Sequence, residues 1–552
     1  MGHQIEKWNI AHSFEKGQLL IAINCLAALS IFFFGYDQGM MGGVNNSKDY
    51  IDTMGFGYTE VINGQNTPVI TNSLLQGGIV AVYYLGTLVG ALMGGWTGDK
   101  VGRIKTIAFG ATWAIFGAAL QCSAQNHTWM IFARLINGVG TGILNAIVPV
   151  WATETAEHTS RGQFIAIEFT LNIFGVVVAY WLEFGLSFID NGNAAIIWRF
   201  PIAFQILPLF VLLAACWFFP ESPRWLVKMG REDEARWLLG RLRGQSDEDA
   251  IRAEAEFQDI RNSMAIEVNA KKTTSDSYFN IITGRGFGKL NVGRRVQLVI
   301  WLQIMQEWVG IAGVTVYAPT IFRMAGFDAR KSQWISGLNN IFYMFATLVC
   351  VFTLDRIGRR KTLYWGSIAQ GIAMFLGGGF SALGLQASAD GDAGRASAFG
   401  AAAASMIFVF TSVFGATWLT VPWLYPAEIF PLAIRAKGNA LGVVGWSIGN
   451  GWLTLLCPIM FEAIGEKTLY IFGIANAITL PMVWALYPES NQRTLEQMDL
   501  LFSADTPWNW DAEKNFKMLM DEGGLSKAAH GDKLDSVMLD GGKNGVVAAE
   551  NV

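Results

Sequence analysis

The chain contains twelve separate segments that are apolar over about 20 residues, the length that crosses the hydrocarbon core of a bilayer. A segment in lipid must be helical, because its backbone groups find no other hydrogen-bond partners there. Charged residues make up only 15% of the chain, against about 25% in soluble domains. The sequence therefore predicts an all-α polytopic membrane protein. The predicted segments are 19–42, 72–96, 105–123, 128–151, 163–188, 198–219, 295–322, 334–354, 362–384, 399–424, 437–461 and 467–488.

The apolar segments form two groups of six, separated by a long polar stretch. In that stretch, apolar residues recur at helical spacing with charges on the opposite face, which predicts short amphipathic helices against the end of the bundle. The C-terminal tail is polar, and we expect it to be disordered beyond Trp510. The predicted parts are an N-terminal tail (1–18), a six-helix half (19–219), a helical linker (220–294), a second six-helix half (295–488) and a C-terminal tail (489–552).

The distribution of lysine and arginine predicts the orientation. With twelve segments, both termini and the linker share one side, and the short loops on that side carry more Lys and Arg than the opposite loops. Basic loops stay in the cytoplasm during insertion. We therefore expect both termini to be cytoplasmic.

Three motifs occur twice, in the same order. They are GDKVGRIK (98–105) and LDRIGRRK (354–361); Pro149, Glu154 and Arg161 against Pro422, Glu428 and Arg435; and PESPRW (220–225) against PESNQR (488–493). Three ordered repeats indicate a duplicated six-helix unit. Two parallel six-helix halves with a substrate site at their interface are the plan of major facilitator transporters.

In these motifs, acidic residues accompany the basic ones at the cytoplasmic ends of the segments. Glu154 and Arg161 are seven residues apart, so they share one face of a helix. Clusters of opposite charge can bridge neighbouring helices and gate the inner mouth, whereas the simpler interpretation is that the basic residues only set the topology. The candidate gating residues are Asp99, Arg103, Glu154, Arg161, Asp355, Arg359, Glu428 and Arg435.

Together these motifs resemble the sugar porter family of the major facilitator superfamily over residues 20–500. The stretches FGYDQGMMGG, AYWLEFGLS and WRFPIAFQ resemble its fungal members, the monosaccharide transporters, in particular. One departure is Ile104, where the first repeat usually has a second basic residue. The resemblance implies a twelve-helix transporter that alternates access between the two sides of the membrane.

One aspartate, Asp37, lies in the first apolar segment. It is five residues inside the outer end, about 8 Å deep, and Arg134 lies six residues inside the fourth segment, about 9 Å deep. Full charges at such depth pair or line a cavity, so we expect these two to pair, either as a switch or as a static bridge that fixes helix register. In similar porters the matching pair couples transport to protons, although related facilitators also keep the aspartate.

The resemblance also implies a substrate site. Gln306 matches the first of two glutamines in the seventh segment, Trp423 falls on the sugar-stacking tryptophan, and Asn450 matches an amide. Several expected amides are missing: Glu307 replaces the second glutamine. Glu168 and Asn172 flank the position where the fifth segment usually has another, and Glu168 is alternatively a buried acid paired elsewhere in the bundle. Two acids near the site favour a neutral ligand.

We therefore predict a plasma-membrane symporter that takes up a neutral monosaccharide, a pentose or hexose, together with a proton. The alternatives are a polyol symporter, a facilitative sugar carrier and a non-transporting sensor, of which the last is disfavoured by the short tail. No nucleophile–base pair, phosphate-binding glycine loop or metal-ligand cluster is recognisable, so we expect no enzyme, cofactor or metal. The net charge of −4 does not suggest a nucleic-acid partner, and we expect a monomer.

Overall fold

The computed structural model describes residues 9–62, 65–156, 161–244, 246–271, 277–287, 290–431, 434–493 and 495–523. These parts are mostly helical, which confirms the predicted all-α fold. Among them, the only strands form one antiparallel hairpin between the first two membrane helices, with Gly57 opposite Ile70. This hairpin has no counterpart in the sequence prediction.

The first six predicted membrane segments are helices that begin and end within five residues of their predicted limits. The sixth segment consists of two helices that meet at Gln205, although Gln205 itself has helical backbone angles. The elements of this part are α1 (Lys16–Val44), α2 (Lys48–Met54), β1 (Gly57–Ile62), β2 (Gln65–Ile70), α3 (Ser73–Val101), α4 (Arg103–Cys122), α5 (His127–Thr155), α6 (Arg161–Leu186), α7 (Ile196–Phe204) and α8 (Ile206–Cys216).

The linker contains helices, as expected, and the predicted segments of the second half are helices that begin and end within six residues of their predicted limits. The linker contains α9 (Pro223–Lys228), α10 (Glu232–Arg243), α11 (Asp247–Lys271) and α12 (Tyr278–Thr283). The second half contains α13 (Val292–Gln306), a π-helical segment (Glu307–Ile311), α14 (Ala312–Met324), α15 (Ala329–Ile357), α16 (Arg359–Ala389), α17 (Ala393–Thr417), α18 (Val421–Ile429), α19 (Arg435–Ile464) and α20 (Thr468–Leu486). The tail forms α21 (Leu495–Phe502) and α22 (Asn509–Gly523).

Ten helical stretches in the described part of the chain are long and apolar enough to cross a membrane. The last of them, Arg435–Leu486, contains both α19 and α20, and α4 adds a further helix of 20 residues. This arrangement agrees with the predicted twelve membrane helices. The end of the bundle that carries the β-hairpin is here named the hairpin face, and the end that carries α9–α12 is named the linker face.

Close helix packing depends on small residues at the contacts. A Cβ atom on Gly35 of α1 would overlap the carbonyl oxygen of Asn172 in α6, and one on Gly39 would lie 2.9 Å from the Cα atom of Val176. Glycine at such positions lets two backbones approach in lipid, where packing rather than the hydrophobic effect drives association. α1 therefore lies directly against α6.

The two six-helix halves also touch each other through hydrogen bonds between their helices. The hydroxyl groups of Thr87 on α3 and Ser447 on α19 are 2.7 Å apart. Thr347 on α15 donates a hydrogen bond of 2.9 Å to Thr170 on α6. Short polar side chains of this kind let helices of opposite halves contact each other without a bulky interface.

The linker and the tail pack against the linker face. Arg243 of α10 donates to the carbonyl oxygens of Thr155 and Ala156, which end α5, at 3.2 and 3.3 Å. It thereby satisfies carbonyl groups that a helix end leaves unpaired. Arg493 binds Glu513 of α22 at 2.7 Å. The expectation of disorder beyond Trp510 is therefore wrong for residues 511–523, since this ion pair holds a helix that continues to Gly523. The rest of that expected segment, 524–552, lies outside the described residues.

Candidate functional site

A cavity lies between the two halves. Clefts between the helices of a bundle are a common place for small-molecule sites. Side chains from α1, α3, α6, α13, α14, α15, α17, α18 and α19 line it, together with the π-helical segment. The structure brings five of the six predicted substrate residues to its wall: Asn172, Gln306, Glu307, Trp423 and Asn450.

Glu168 is the predicted substrate residue that does not reach this cavity. Its side chain is buried, and its Oε1 atom has no hydrogen-bond partner in the described part of the chain. Phe169 lines the cavity instead. One step along an α-helix rotates the side chain by about 100°, so neighbouring residues face different surroundings. The structure therefore places Phe169, and not Glu168, on the wall of the cavity.

Aromatic rings cover one side of the cavity. The Trp423 ring is half-buried, and its centroid lies 5.3 Å from that of Phe169, 6.1 Å from Phe34 and 6.0 Å from Trp446. Trp446 in turn packs edge-on against Tyr84 at 5.3 Å. Neighbouring rings at these distances hold the Trp423 ring in place. The part of its surface that stays open faces the cavity as an apolar platform.

Gln306 joins the cavity wall to a break between α17 and α18. Its Nε2 atom donates to the carbonyl oxygens of Trp418 and Leu419 at 2.9 and 3.0 Å. Gln303, one turn earlier, donates to the carbonyl oxygen of Pro422 at 3.1 Å. Pro422 and Pro426 have no N–H group, so the carbonyls of Trp418 and Pro422, four residues earlier, lack an intrahelical donor, and the two glutamines supply one. The Oε1 atom of Gln306 is left buried, with no hydrogen-bond partner among the described residues.

Glu307 begins the π-helical segment that interrupts the seventh membrane helix. Gly310 in this segment has a φ of 119°, a conformation that residues with a Cβ atom rarely adopt. The Glu307 carboxyl group lies beside the side chains of Trp446 and Asn450. Interruptions of this type are frequent at functional sites because they re-aim side chains. Here the interruption coincides with a carboxyl group on the cavity wall.

The cavity is thus rich in hydrogen-bond acceptors beside an apolar platform. The free Oε1 of Gln306 and the Glu307 carboxyl group accept hydrogen bonds. The hydroxyl groups of a neutral polyhydroxylated ligand can donate to them, while its C–H faces pack on Trp423. The arrangement suits reversible binding of such a ligand.

The lining residues that were not predicted from the sequence include Gln38, Tyr84 and Tyr343. Gln38 carried a usable signal, because a polar residue inside an apolar membrane segment points to a protein interior or a cavity. The two tyrosines carried none, since aromatic residues are common throughout membrane helices.

Asp37 and Arg134 are both buried, but they do not form the expected ion pair. No nitrogen of Arg134 lies within 4 Å of the carboxylate of Asp37; Arg134 donates to Gln121 at 3.3 Å, and its guanidinium lies 5.0 Å from the centre of the Tyr83 ring. Both carboxylate oxygens of Asp37 lack a hydrogen-bond partner in the described residues. Arg134 nevertheless acts on Asp37 electrostatically, and the Tyr83 side chain lies beside its carboxylate. The expected pair is open here because Gln121 and Tyr83 hold the guanidinium.

On the linker face, the first repeated motif builds a compact charge cluster. Arg103 at the start of α4 binds the Glu154 carboxylate through two hydrogen bonds of 2.9 Å. It also lies 3.4 Å from Asp99 on α3. Bidentate pairs of this type are among the stronger side-chain interactions. The cluster therefore connects α3, α4 and α5.

The second half repeats this cluster. Arg359 binds Glu428 at 2.6 Å and Asp355 at 3.0 Å. The arrangement matches that of the first half residue for residue, which supports the duplication inferred from the motifs. Each cluster lies within one half.

The seven-residue spacing of the second motif did not predict its ion pairs. α5 ends at Thr155 and α6 begins at Arg161, so the expectation that Glu154 and Arg161 share one face of a helix is wrong. Glu154 is bound by Arg103 from the neighbouring helix, and the side chain of Arg161 lies outside the described residues. Glu428 is bound by Arg359, while Arg435 donates to the carbonyl oxygen of Phe430 at 3.5 Å. Both glutamates thus take an arginine partner from another helix.

The third motif supplies a carboxylate to the first. Glu221 accepts hydrogen bonds from the backbone N–H groups of Arg103, Ile104 and Ser222 at 2.8, 3.2 and 3.0 Å. Its position is the N-terminus of α4, where unpaired N–H groups and the helix dipole favour an anion. The backbone approach requires Gly102, which has a φ of 108° and whose Cβ atom would lie 2.5 Å from Oε2 of Glu221.

The second half again has the same construction. Glu489 accepts from the backbone N–H groups of Arg359, Arg360 and Asn491 at 2.9, 3.1 and 3.1 Å. Gly358 precedes the helix with a φ of 91°. This role of the two glutamates was not predicted from the sequence, although the pairing of each glutamate with a GR motif in both halves was a signal for it.

Two similar six-helix halves around a central polar and aromatic cavity, with matching charge clusters at one end, define a secondary transporter of the major facilitator fold. The chain belongs to a family within that class. The family model described as "Sugar (and other) transporter" matches residues 23–502. The protein is accordingly a membrane transporter and not an enzyme.

Curated relatives from fungi match nearly the whole chain. The MFS-type transporter oryC of Aspergillus oryzae is 30% identical over 484 residues, which cover 88% of this chain and 85% of oryC. The sugar transporter STL1 of Saccharomyces cerevisiae is also 30% identical, over 89% of this chain and 82% of STL1.

Among solved structures, the fold resembles that of XylE from E. coli, described as a proton:xylose symporter. The structure of XylE bound to 6-bromo-6-deoxy-D-glucose superposes with a TM-score of 0.71 at 22% identity, over 88% of this chain and 100% of the other. This likeness establishes the twelve-helix fold.

Proposed function

We propose that this protein is a proton-coupled symporter that takes up a neutral monosaccharide, a pentose or hexose, by alternating access. The observation that carries the proposal is the central cavity. It combines an open tryptophan face at Trp423 with an unpartnered acceptor at Gln306 and a carboxyl group at Glu307. This combination suits a ring that has both apolar faces and hydroxyl donors.

The charge of the cavity supports the choice of a neutral ligand. Glu307 lines the wall, whereas Arg134 does not. An anionic ligand such as a sugar acid would meet a carboxyl group without a compensating cation, and like charges at close range are costly. The names of STL1, a sugar transporter, and of XylE, a proton:xylose symporter, point to the same ligand class.

Proton coupling is assigned to Asp37 and Arg134. A buried carboxylate without a hydrogen-bond partner is costly in a membrane interior, and protonation removes that charge. Arg134 lies close enough to act on Asp37 electrostatically, yet it is held by Gln121 in this structure. We infer that closing and opening this pair distinguishes the states of the cycle, with the proton entering while the pair is open.

The charge clusters of the linker face serve as the inner gate in this proposal. Arg103 and Arg359 each connect three helix ends within one half, so each cluster keeps the inner ends of its half together. We assign the linker face to the cytoplasm, because its loops carry the excess of Lys and Arg. The protein then lies in the plasma membrane with both termini inside the cell and acts as a monomer.

The test is uptake of radiolabelled sugars by transporter-deficient yeast that expresses the protein. The panel consists of arabinose, xylose, glucose, galactose and glycerol, each measured with and without a protonophore. We expect one monosaccharide to accumulate above its external concentration and the protonophore to abolish the accumulation. Accumulation of glycerol alone would support the polyol alternative. Uptake that only equilibrates, with or without the protonophore, would make the protein a facilitative carrier.

Two variants, each of which replaces an aspartate by asparagine, test the coupling role of Asp37. Asp37→Asn removes the buried carboxylate and should abolish accumulation. Asp52→Asn removes an exposed carboxylate that pairs with Lys48 at the hairpin face and should leave it unchanged. Equal accumulation by both variants would contradict the coupling role of Asp37.

A further inference from the structure

A second cavity lies between the two halves at the hairpin face. The cavity, here named the vestibule, is lined by side chains from α6, α7, α14, α15 and β2, and by the chain that follows α1. Nothing in the transport mechanism described so far uses these residues.

The vestibule contains buried polar groups that lack partners. Glu183 of α6 is 5% exposed, and neither of its carboxylate oxygens has a hydrogen-bond partner in the described part of the chain. Ser47, which also lines the vestibule, is 6% exposed, and its hydroxyl group is likewise unpartnered among the described residues. Unpaired buried polar atoms are costly and are rare without a ligand or function. Two residues with such atoms on one cavity wall indicate a built site.

The remaining wall has the chemistry of a site for a hydroxylated ligand. It contains amide and hydroxyl side chains and one aromatic ring beside the carboxylate: Asn46, Asn66, Ser187, Gln333 and Phe184. It also holds Arg330, which is exposed and whose guanidinium lies 5.0 Å from the centre of the Phe188 ring. A wall with many neutral hydrogen-bonding groups suits a neutral ligand with several hydroxyl groups.

The vestibule and the central cavity lie on one path. Asn172 and Val176 of α6 line the central cavity, and Tyr180 and Glu183 continue the same face of the helix into the vestibule. Between the cavities, the Tyr180 hydroxyl donates to the carbonyl oxygen of Thr315, which itself lines the central cavity, at 2.6 Å. A hydrogen bond between the two halves therefore separates the two spaces.

We propose that the vestibule is a second binding site for the transported neutral sugar, occupied before the sugar passes Tyr180. Glu183 accepts hydrogen bonds from sugar hydroxyls, and Ser47 adds a further polar contact. This inference rests on the proposed function, because it takes the same ligand from the side that we assign to the cell exterior.

The test measures sugar protection of a thiol placed in the vestibule. Ser187→Cys is introduced together with Cys25→Ser and Cys122→Ser, which remove the native thiols that are not buried. A membrane-impermeant maleimide labels Cys at this position, and the sugar found to be transported should slow the labelling. As a control for the reagent, Glu60→Cys on the exposed hairpin should be labelled at the same rate with and without sugar.

Two further changes separate the vestibule from the central site. Glu183→Gln should raise the sugar concentration that gives half-maximal protection by about tenfold, the usual effect of losing one charge-assisted hydrogen bond, whereas Glu60→Gln should leave it unchanged. Trp423→Ala weakens the central site and should also leave vestibule protection unchanged. Glu183→Asp should restore part of the protection, which shows that a loss in Glu183→Gln does not reflect misfolding.

The outcomes distinguish this inference from the proposed function. If the wild type transports a sugar that gives no protection, the vestibule site is refuted and the transport function stands. Protection that disappears in Trp423→Ala would also refute it, because the central site would then cause the effect. Protection by sodium or potassium ions instead of sugar would replace the sugar site by a cation site. If no sugar in the panel is transported, the proposed function fails, and protection by the sugars decides the vestibule site separately.

Discussion

Replacement of Glu221 by alanine isolates the contribution of the repeated PES motif. The carboxylate of Glu221 accepts three backbone hydrogen bonds, two of them from the first turn of α4. Glu489 does the same for α16. Because the two halves share this construction, Glu221→Ala and Glu489→Ala are two independent measurements of one interaction.

The magnitude follows from the groups that lose their partner. Two N–H groups at the start of α4 contribute about 1 kcal/mol each, and the favourable position of an anion at a helix N-terminus adds about 0.5–1 kcal/mol. Burial raises the pKa of Glu221, which shows that desolvation offsets part of the gain from the negative charge. We expect Glu221→Ala to cost about 2–3 kcal/mol, and Glu221→Gln, which keeps an acceptor and buries no charge, less than about 1 kcal/mol.

The assay is thermal unfolding of the purified protein in detergent. At about 2–4 °C per kcal/mol for a unit of this size, both alanine variants should lower the unfolding temperature by about 5–10 °C. Glu462→Ala, on an exposed part of α19, serves as the matched control and should cause no change. A loss in Glu221→Gln as large as that in Glu221→Ala would refute the reasoning, because it would assign the effect to the charge rather than to the backbone hydrogen bonds.

Three further predictions concern transport. Asp37→Asn should abolish accumulation but keep sugar exchange across the membrane, and loss of exchange as well would indicate a damaged fold rather than lost coupling. Trp423→Ala should raise the apparent KM about tenfold or more, since it removes the apolar platform, with normal amounts of protein at the membrane; an unchanged KM would remove this residue from the site. Arg103→Lys should lower the maximal uptake rate and leave the KM unchanged, because lysine cannot form the bidentate pair with Glu154; a normal rate would argue against a gating role for this cluster.

Much of the fold followed from the sequence because the bilayer sets a strong constraint. Membrane segments are long, apolar and necessarily helical, so hydropathy located them within a few residues. The duplicated motifs then predicted two equivalent halves, and the structure shows the matching clusters around Arg103 and Arg359. The β-hairpin and α22 were not predicted, because elements outside the membrane lack that constraint and their signals are weaker.

The site was predictable only where a residue type carried its own signal. Trp423, Gln306 and Asn450 were matched to positions of known chemistry, and all three line the central cavity. Glu168 was misplaced because a sequence does not give the rotation of a helix about its axis, and one residue decides which side chain faces the cavity.

Contacts between charged side chains of different helices were the hardest feature to predict from the sequence. The equal depth of Asp37 and Arg134 follows from counting residues, but their separation depends on how α1, α3 and α5 pack around Tyr83. In the same way, the spacing between Glu154 and Arg161 gave no information on Arg103, which comes from another helix.

The hydrogen bonds from Gln303 and Gln306 to the break between α17 and α18 have a mechanical consequence. They join α13 and α18 into one rigid wall, which carries both the unpartnered Oε1 acceptor of Gln306 and the Trp423 platform. α14, beyond Gly310 and the π-helical segment, is outside this unit. The seventh membrane helix is therefore divided into an anchored part, α13, and a part that can rotate about Gly310, α14. The cavity can then open on the side of α14 while the wall that binds the ligand keeps its shape.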